Sequence, residues 1–249
     1  MSPLNNWPYP LWIAHRGAGL LAPENTLAAL RLGAAKGWRM AECDVKLSSD
    51  GVPFLLHDVT LDRTTSGRGP AASMPWSELS QLDAGSWHGP ARAGERLPTL
   101  AEVAAWCLES GHLLNIELKP NPGQERRTGE GVAAQAAQLW EQAPTPPLLT
   151  SFQVASLEAA GETAPHLPRG LLKDGSAQGA VIQACALGCV ALVCHHPLWN
   201  AQLVAQARGA GLRCLAYTVN EESDVSRLLA LGVDGLISDR IDRFGPTSR

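Results

Sequence analysis

Short runs of β-branched and other apolar residues alternate along the chain with Ala/Leu-rich stretches at helical spacing. Runs at 11–15, 40–46, 113–118, 148–152, 169–172, 189–194, 213–219 and 235–238 are short and end in polar residues, so they read as eight strands. Between them, 24–36, 100–110, 131–142, 154–162, 177–187, 201–209 and 221–231 read as helices. Gly37, Gly111, Gly211 and Gly232 follow predicted helix ends, where a left-handed residue favours glycine. Repeated βα units call for a parallel sheet, and eight of them suit a closed (β/α)8 barrel better than an open one. No Gly-x-Gly-x-x-Gly follows the first strand, so a dinucleotide fold lacks its phosphate loop.

Two features break the alternation. Ser48-Ser49-Asp50-Gly51 leads into Val52-Pro53-Phe54-Leu55-Leu56-His57, and an Asp-Gly pair between apolar runs is a strong hairpin signal. With Asp50-Gly51 as a two-residue turn, Ser49 pairs with Val52 and the register brings Asp44 opposite His57, on one face. The segment 62–98 is then rich in Gly, Ser, Thr, Pro and Trp, with one short helix expected near 76–81. We read 47–98 as an insertion over the barrel mouth, anchored by Trp76 and Trp87, within a single domain spanning 1–249.

Composition narrows the function classes. With 249 residues the chain has the usual length of one such barrel and can bury a large core without staples. Twenty Lys/Arg against 24 Asp/Glu leave a net charge of −4 and no basic stripe, so no nucleic-acid partner is expected. No apolar run approaches the ~18 residues of a membrane span, and Met1 to Pro10 lacks the basic start of a secretory signal. The six cysteines form no Cys-x-x-Cys pair and lie in apolar runs, as expected of reduced, mostly buried thiols in a cytoplasmic protein. No feature of the pattern dictates an oligomeric state.

In a barrel the working residues lie at the C-terminal ends of the strands. Those ends read His15-Arg16-Gly17, Glu42-Cys43-Asp44 and Glu117-Leu118-Lys119. Strand side chains alternate, so Glu42 and Asp44 share a face, as do Glu117 and Lys119. Three carboxylates gathered this way repel one another unless a cation sits among them, and oxygen donors select a hard one, Mg²⁺ or Ca²⁺. His15 and His57 supply a general acid and base near neutral pH. Arg16 offers a planar fork and Lys119 a point charge, both suited to a phosphate anion. Together these groups describe phosphodiester cleavage.

His15-Arg16-Gly17, Pro23-Glu24-Asn25-Thr26, Glu42-x-Asp44, His57-Asp58, Asn115-Ile116-Glu117-Leu118-Lys119-Pro120 and Tyr217-Thr218-Val219-Asn220 occur in that order along nearly the whole chain. This series resembles the glycerophosphodiester phosphodiesterases, most closely the small cytosolic bacterial enzymes, down to Asp83-Ala84-Gly85-Ser86-Trp87 and Pro168-Arg169-Gly170-Leu171-Leu172. The resemblance implies a distorted TIM barrel, one divalent cation, and hydrolysis of a small glycerophosphodiester to sn-glycerol 3-phosphate and an alcohol. It implies Glu42, Asp44 and Glu117 as metal ligands, His15 as proton acceptor, His57 as proton donor, and Arg16 and Lys119 as phosphate contacts. In the family picture the neighbouring glycerol hydroxyl attacks first, and water then opens a cyclic phosphate. Tyr217 stands where many members carry Trp, which leaves the alcohol pocket's shape open.

Other signals have two readings. Phe152 and Tyr217 either line the glycerol or alcohol pocket or are ordinary core aromatics. Glu24-Asn25-Thr26 reads first as a helix cap after Pro23. His195-His196-Pro197 reads as a surface or substrate-rim pair, and Arg126-Arg127 as part of a solvated loop. Competing functions are a lysophospholipase D or cyclising phosphodiesterase on lysolipids, and a non-catalytic barrel that binds phosphorylated metabolites or a partner.

Overall fold

The computed structural model describes residues 7–246; residues 1–6, which hold much of the stretch compared with a secretory signal, and 247–249 lie outside it. Eight parallel strands close into a barrel: β1 (Trp12–Ala14), β2 (Met40–Leu47), β4 (Leu113–Leu118), β5 (Leu148–Ser151), β6 (Arg169–Lys173), β7 (Ala191–His195), β8 (Arg213–Tyr217) and β9 (Gly235–Ser238). β1 seals the ring, pairing with β9 on one side and with β2 on the other through Ala14 and Ala41. The extra strand β3 (Pro53–Leu55) runs antiparallel on β2.

Helices α1 (Leu27–Ala35), α2 (Trp76–Leu79), α3 (Leu100–Ser110), α4 (Glu125–Leu139), α5 (Val154–Thr163), α6 (Ala180–Ala186), α7 (Ala201–Gly209) and α8 (Glu222–Leu231) complete the architecture. Apart from α2, which belongs to the insertion, they follow the expected βα alternation. α3 begins in a reciprocal capping box between Thr99 and Glu102 and stops at left-handed Gly111. The largest apolar cluster lies between strands and helices, and a smaller one (Ile13, Met40, Leu148, Val193, Leu215, Ile237) fills the barrel itself. The insertion has its own small core around Phe54, Leu61, Leu79 and Leu97.

Four expectations need correction. The hairpin pairs Val45 with Leu55 and Lys46 with Phe54, one residue out of the predicted register. Ser48 N–H donates to Val52 O, and Gly51 at φ +87° closes a three-residue loop, where a two-residue turn was expected. The extra loop residue is the cause of the slip.

α4 starts at Glu125, not 131, so Arg126 and Arg127 lie in a helix. Its first turns bury Thr128 and Gly129, with Gly129 against the Ser156 backbone, so small residues hide the helical face from an apolar count. α1 starts at Leu27, with only Thr26 of the Glu24-Asn25-Thr26 trio serving as N-cap. Trp76 packs on Phe54 at 5.8 Å between ring centroids, but Trp87 is 41 % exposed and anchors little.

Candidate active site

The C-terminal mouth gathers the groups the strand ends pointed to. β2 and β4 run in register with Asp44 beside Glu117 and Glu42 beside Asn115, so the acidic residues of two adjacent strands project into the barrel together. Glu42, Asp44 and Glu117 are all buried, and each offers a carboxylate oxygen within 4.8 Å of the others'. Among the described residues no other His, Cys, Asp or Glu group of three or more could hold a metal.

The charges in this cluster are unevenly compensated. Burial works against ionised Asp44, but Arg16 first and then Lys119 hold its carboxyl down, at about 2. Arg16 Nε lies 3.4 Å from it and Lys119 Nζ 3.5 Å. Burial, then the charge of Asp44, pushes Glu42 up, and the same two causes push Glu117 up despite Lys119 Nζ at 2.7 Å. The nearby cations therefore do not offset burial and the Asp44 charge at Glu42 and Glu117, and an all-oxygen donor set fits a hard divalent cation.

The loop after β1 has unusual backbone. Arg16 sits at φ +49° and Asn25 at φ +58°, left-handed conformations uncommon outside glycine. Arg16 N–H donates to Glu42 at 3.0 Å, and Asn25 grips Asp44 twice, through its Nδ2 (2.8 Å) and by accepting from the Asp44 N–H (3.0 Å). Gly33 of α1 lets the helix press against the Gly17 carbonyl, where a Cβ would overlap it. The arginine guanidinium is thereby aimed across the mouth, bonded to Glu24 at 2.8 Å, with its buried Nε near Asp44 but without a hydrogen bond.

The two histidines are held differently. His15 Nδ1 lies 2.6 Å from Asp239 Oδ1, leaving Nε2 facing the acidic cluster 3.8 Å from Glu42. Burial would lower the His15 pKa, but the Asp239 hydrogen bond and the Glu42 and Asp239 charges raise it overall. Asn220 steadies Asp239 from behind at 3.0 Å.

His57 Nδ1 lies 2.7 Å from Asp58, and Arg63 clasps Asp58 with two bonds and Glu24 with two more, all between 2.7 and 3.0 Å. The Arg63 bonds hold Asp58 far below the usual carboxylate range. Burial lowers His57 more than the Asp44 charge raises it. The expected register would have turned His57 inward by alternation. β3 instead ends at Leu55, and buried Lys46 donates to the carbonyls of His57 and Asp58, fixing the chain as it leaves the ladder. Burial pulls the Lys46 ammonium down to about 8.

Phe152 and Tyr217 meet edge to face at 5.8 Å and line a cavity of about 280 Å³ together with His15, Glu42 and Glu117. Lys119 Nζ lies 5.5 Å from the Phe152 centroid. His195 stands at the rim, 6.0 Å from the Tyr217 ring, whereas His196 faces Asp224 at 3.2 Å. The two do not chelate together. Arg126 pairs with Glu162, and Arg127 donates to Ser49 O.

Sequence reasoning missed Asp239, and it took Asn25 for a cap. Asp239 directly follows β9, so the rule that selected the other strand ends also reaches it.

Residues 15–243 match the model of the glycerophosphoryl diester phosphodiesterase family. A glycerophosphodiester phosphodiesterase of Caldanaerobacter subterraneus subsp. tengcongensis is 34 % identical over 236 residues, covering 92 % of this chain and 93 % of its own. An Oleispira antarctica phosphodiesterase, solved with its product sn-glycerol-3-phosphate, superposes with a TM-score of 0.84 at 38 % identity over 93 % of both chains. A glycerophosphodiester phosphodiesterase of Agrobacterium tumefaciens superposes with a TM-score of 0.79 at 29 % identity, covering 94 % of this chain and 97 % of that one. Among the described residues no helix is long and apolar enough to cross a membrane.

Proposed function

Because the chain belongs to the glycerophosphoryl diester phosphodiesterase family and is a hydrolase of phosphoric diesters, we propose that it releases sn-glycerol 3-phosphate and an alcohol from small glycerophosphodiesters, with a divalent cation and two histidines as acid and base. The observation that carries this reading is the meeting of three buried carboxylates with His15, Arg16 and Lys119 in one mouth, with His57 near enough to feel the charges of Asp44, Arg16 and Lys119. The product held by the Oleispira relative supports the glycerol phosphate half.

Glu42, Asp44 and Glu117 would hold the cation, Mg²⁺ or Ca²⁺, which when bound supplies charge neutralisation for the carboxylates and the phosphate. Arg16 and Lys119 bind and orient the phosphate oxygens; each is already at the acidic cluster and carries its positive charge toward the mouth. Asp239 accepts from protonated Nδ1 of His15, which leaves the Nε2 lone pair to take the proton of the attacking hydroxyl. As the glycerol hydroxyl forms the new P–O bond, the bond to the leaving alcohol breaks and His57 gives that oxygen its proton. Water then attacks the cyclic phosphate, losing a proton to His57, and the ring P–O bond breaks as its oxygen regains the proton held by His15. An arriving phosphodiester anion stabilises imidazolium at His57 and so opposes the lowering that burial causes. Phe152 and Tyr217 wall the pocket for the organic part of the ester. Residues 1–249 serve as one catalytic domain, with 47–98 as its insertion. The free cysteines, five of them buried, support a cytoplasmic setting.

A second reading, hydrolysis of lysophospholipids, rests on two exposed apolar residues. Leu20 is 66 % and Trp87 41 % exposed, and His88 joins them by contacting the Leu20 carbonyl and the Trp87 ring. The test is release of glycerol 3-phosphate from glycerophosphocholine after chelation, then with Mg²⁺ or Ca²⁺ restored, alongside lysophosphatidylcholine. Release that returns with metal and falls ~10²-fold or more in His15→Ala and His57→Ala is expected. Metal-dependent turnover of the lysolipid alone would replace the first reading with the second.

A further inference from the structure

Below the acidic cluster the cavity ends on a polar group that the proposed chemistry leaves unused. Asn115 lies on β4 two residues before Glu117, so its side chain faces the same way. It is 1 % exposed and lines the same cavity as His15, Glu42 and Glu117. One end of its amide meets Thr150 Oγ1 at 3.0 Å, and Thr150, fully buried, lines the cavity too. The other end, Nδ2, has no hydrogen-bond partner. Turning the amide over would only exchange which end is bonded to Thr150. A buried amide end left unpaired costs roughly 1–3 kcal/mol, so such groups are found where a water or a ligand completes them.

We infer that Asn115, oriented by Thr150, is a specificity residue that hydrogen-bonds a free hydroxyl of the substrate's glycerol unit. This deepens the reading of the site as a glycerophosphodiesterase and rests on it. The phosphate belongs with Arg16 and Lys119 at the mouth, and a neutral amide has no charge with which to compete for it. A hydroxyl both donates and accepts, and so satisfies either end of the amide. Leu172 and Ile237 wall the same space, so the unpaired amide faces a pocket with an apolar side. The hydroxyl next to the ester is the attacking group, so the terminal hydroxyl is the one left for Asn115, and a glycerol unit that keeps it is favoured over one that lacks it.

The test compares glycerophosphocholine with the choline phosphodiester of 1,2-propanediol, which lacks only the terminal hydroxyl. Sites built around a substrate hydroxyl discriminate strongly, and the wild type is expected to favour the glycerol ester in kcat/KM by ~10²-fold or more. Asn115→Leu should remove most of that preference by slowing the glycerol ester, leaving the propanediol ester within ~3-fold of wild type. Thr150→Val keeps the shape of the side chain and should give an intermediate loss of preference, which carries the test if Asn115→Leu melts early. Equal slowing of both esters, or a wild type indifferent to the hydroxyl, would overturn the inference. A wild type inactive on both esters would count against the phosphodiesterase reading. Calorimetry of sn-glycerol 3-phosphate against 1,2-propanediol phosphate would then decide the inference, with equal affinities refuting it.

Discussion

Replacing Asp239 with asparagine changes one atom, and the hydrogen bonds around it dictate how the new amide must sit. Asn220 Oδ1 accepts from the Asp239 N–H at 3.0 Å and from Ser238 Oγ at 3.3 Å, so the Asn220 amide cannot turn over without losing both. Its Nδ2 therefore keeps donating toward the Oδ2 position of residue 239 at 3.0 Å. In Asp239→Asn the carbonyl oxygen must occupy that position, which places the NH2 where Oδ1 now meets His15 Nδ1 at 2.6 Å. Nδ1 is then forced to accept, the proton moves to Nε2, and the nitrogen facing Glu42 is no longer a base. General-base assistance is worth about 10²–10⁴-fold, or ~3–5 kcal/mol of barrier. We expect kcat for glycerophosphocholine to fall within that range while circular dichroism and the melting temperature stay near wild type.

The pH profile supplies a second readout. Burial opposes the imidazolium of His15, and the Asp239 hydrogen bond, the Glu42 charge and the Asp239 charge together more than offset it, so the Asp239 carboxylate contributes to raising the His15 pKa. Removing the charge lowers that pKa, and the acid limb of kcat/KM moves to lower pH. A folded variant that loses less than ~3-fold in kcat, or whose acid limb stays in place, would refute this role for Asp239.

Two further outcomes are expected. In Arg63→Lys a point charge replaces a fork that holds Glu24 and Asp58 by two bonds each, so His57 loses its support while a side chain 45 % exposed sacrifices less than ~1 kcal/mol of stability. A tenfold or greater drop in kcat with little change in urea midpoint is expected, and an unchanged kcat would count against the network. His112, buried against Trp106, is pushed by burial down to about 4, below the ~6.5 of an unfolded chain. It is neutral when folded and takes a proton on unfolding, so its contribution is complete above pH ~6.5 and is lost as pH falls toward 4, by at most ~3 kcal/mol. Urea midpoints at pH 7 and 4.5 should therefore drop less in His112→Phe than in wild type, and parallel drops would remove His112 as the cause.

The barrel was legible because its strands and helices carry different apolar periods over almost every unit. α3 and α7 start and end where their apolar spacing and flanking residues say, at Leu100–Ser110 and Ala201–Gly209. The principal candidate site residues were legible because strand alternation and the barrel's polarity place strand-end side chains together without knowledge of packing. Where the period is carried by small residues the reading failed, as at Thr128 and Gly129 of α4. It failed also in the hairpin, where one loop residue decides the register and Asp50-Gly51 fits either loop length.

The sequence by itself thus determined the eightfold alternation, the closed parallel sheet and the acidic, imidazole and cationic groups at its mouth, because these follow from local periodicity and from which strand end each residue occupies. Only the tertiary structure decided which partner each group answers to. Asp239 behind His15, Arg63 between Asp58 and Glu24, Asn25 on Asp44 and the unpaired amide of Asn115 all depend on segments distant in the chain meeting at hydrogen-bond distance. Such meetings are fixed by ring closure and by the path of the insertion, and no local pattern encodes them.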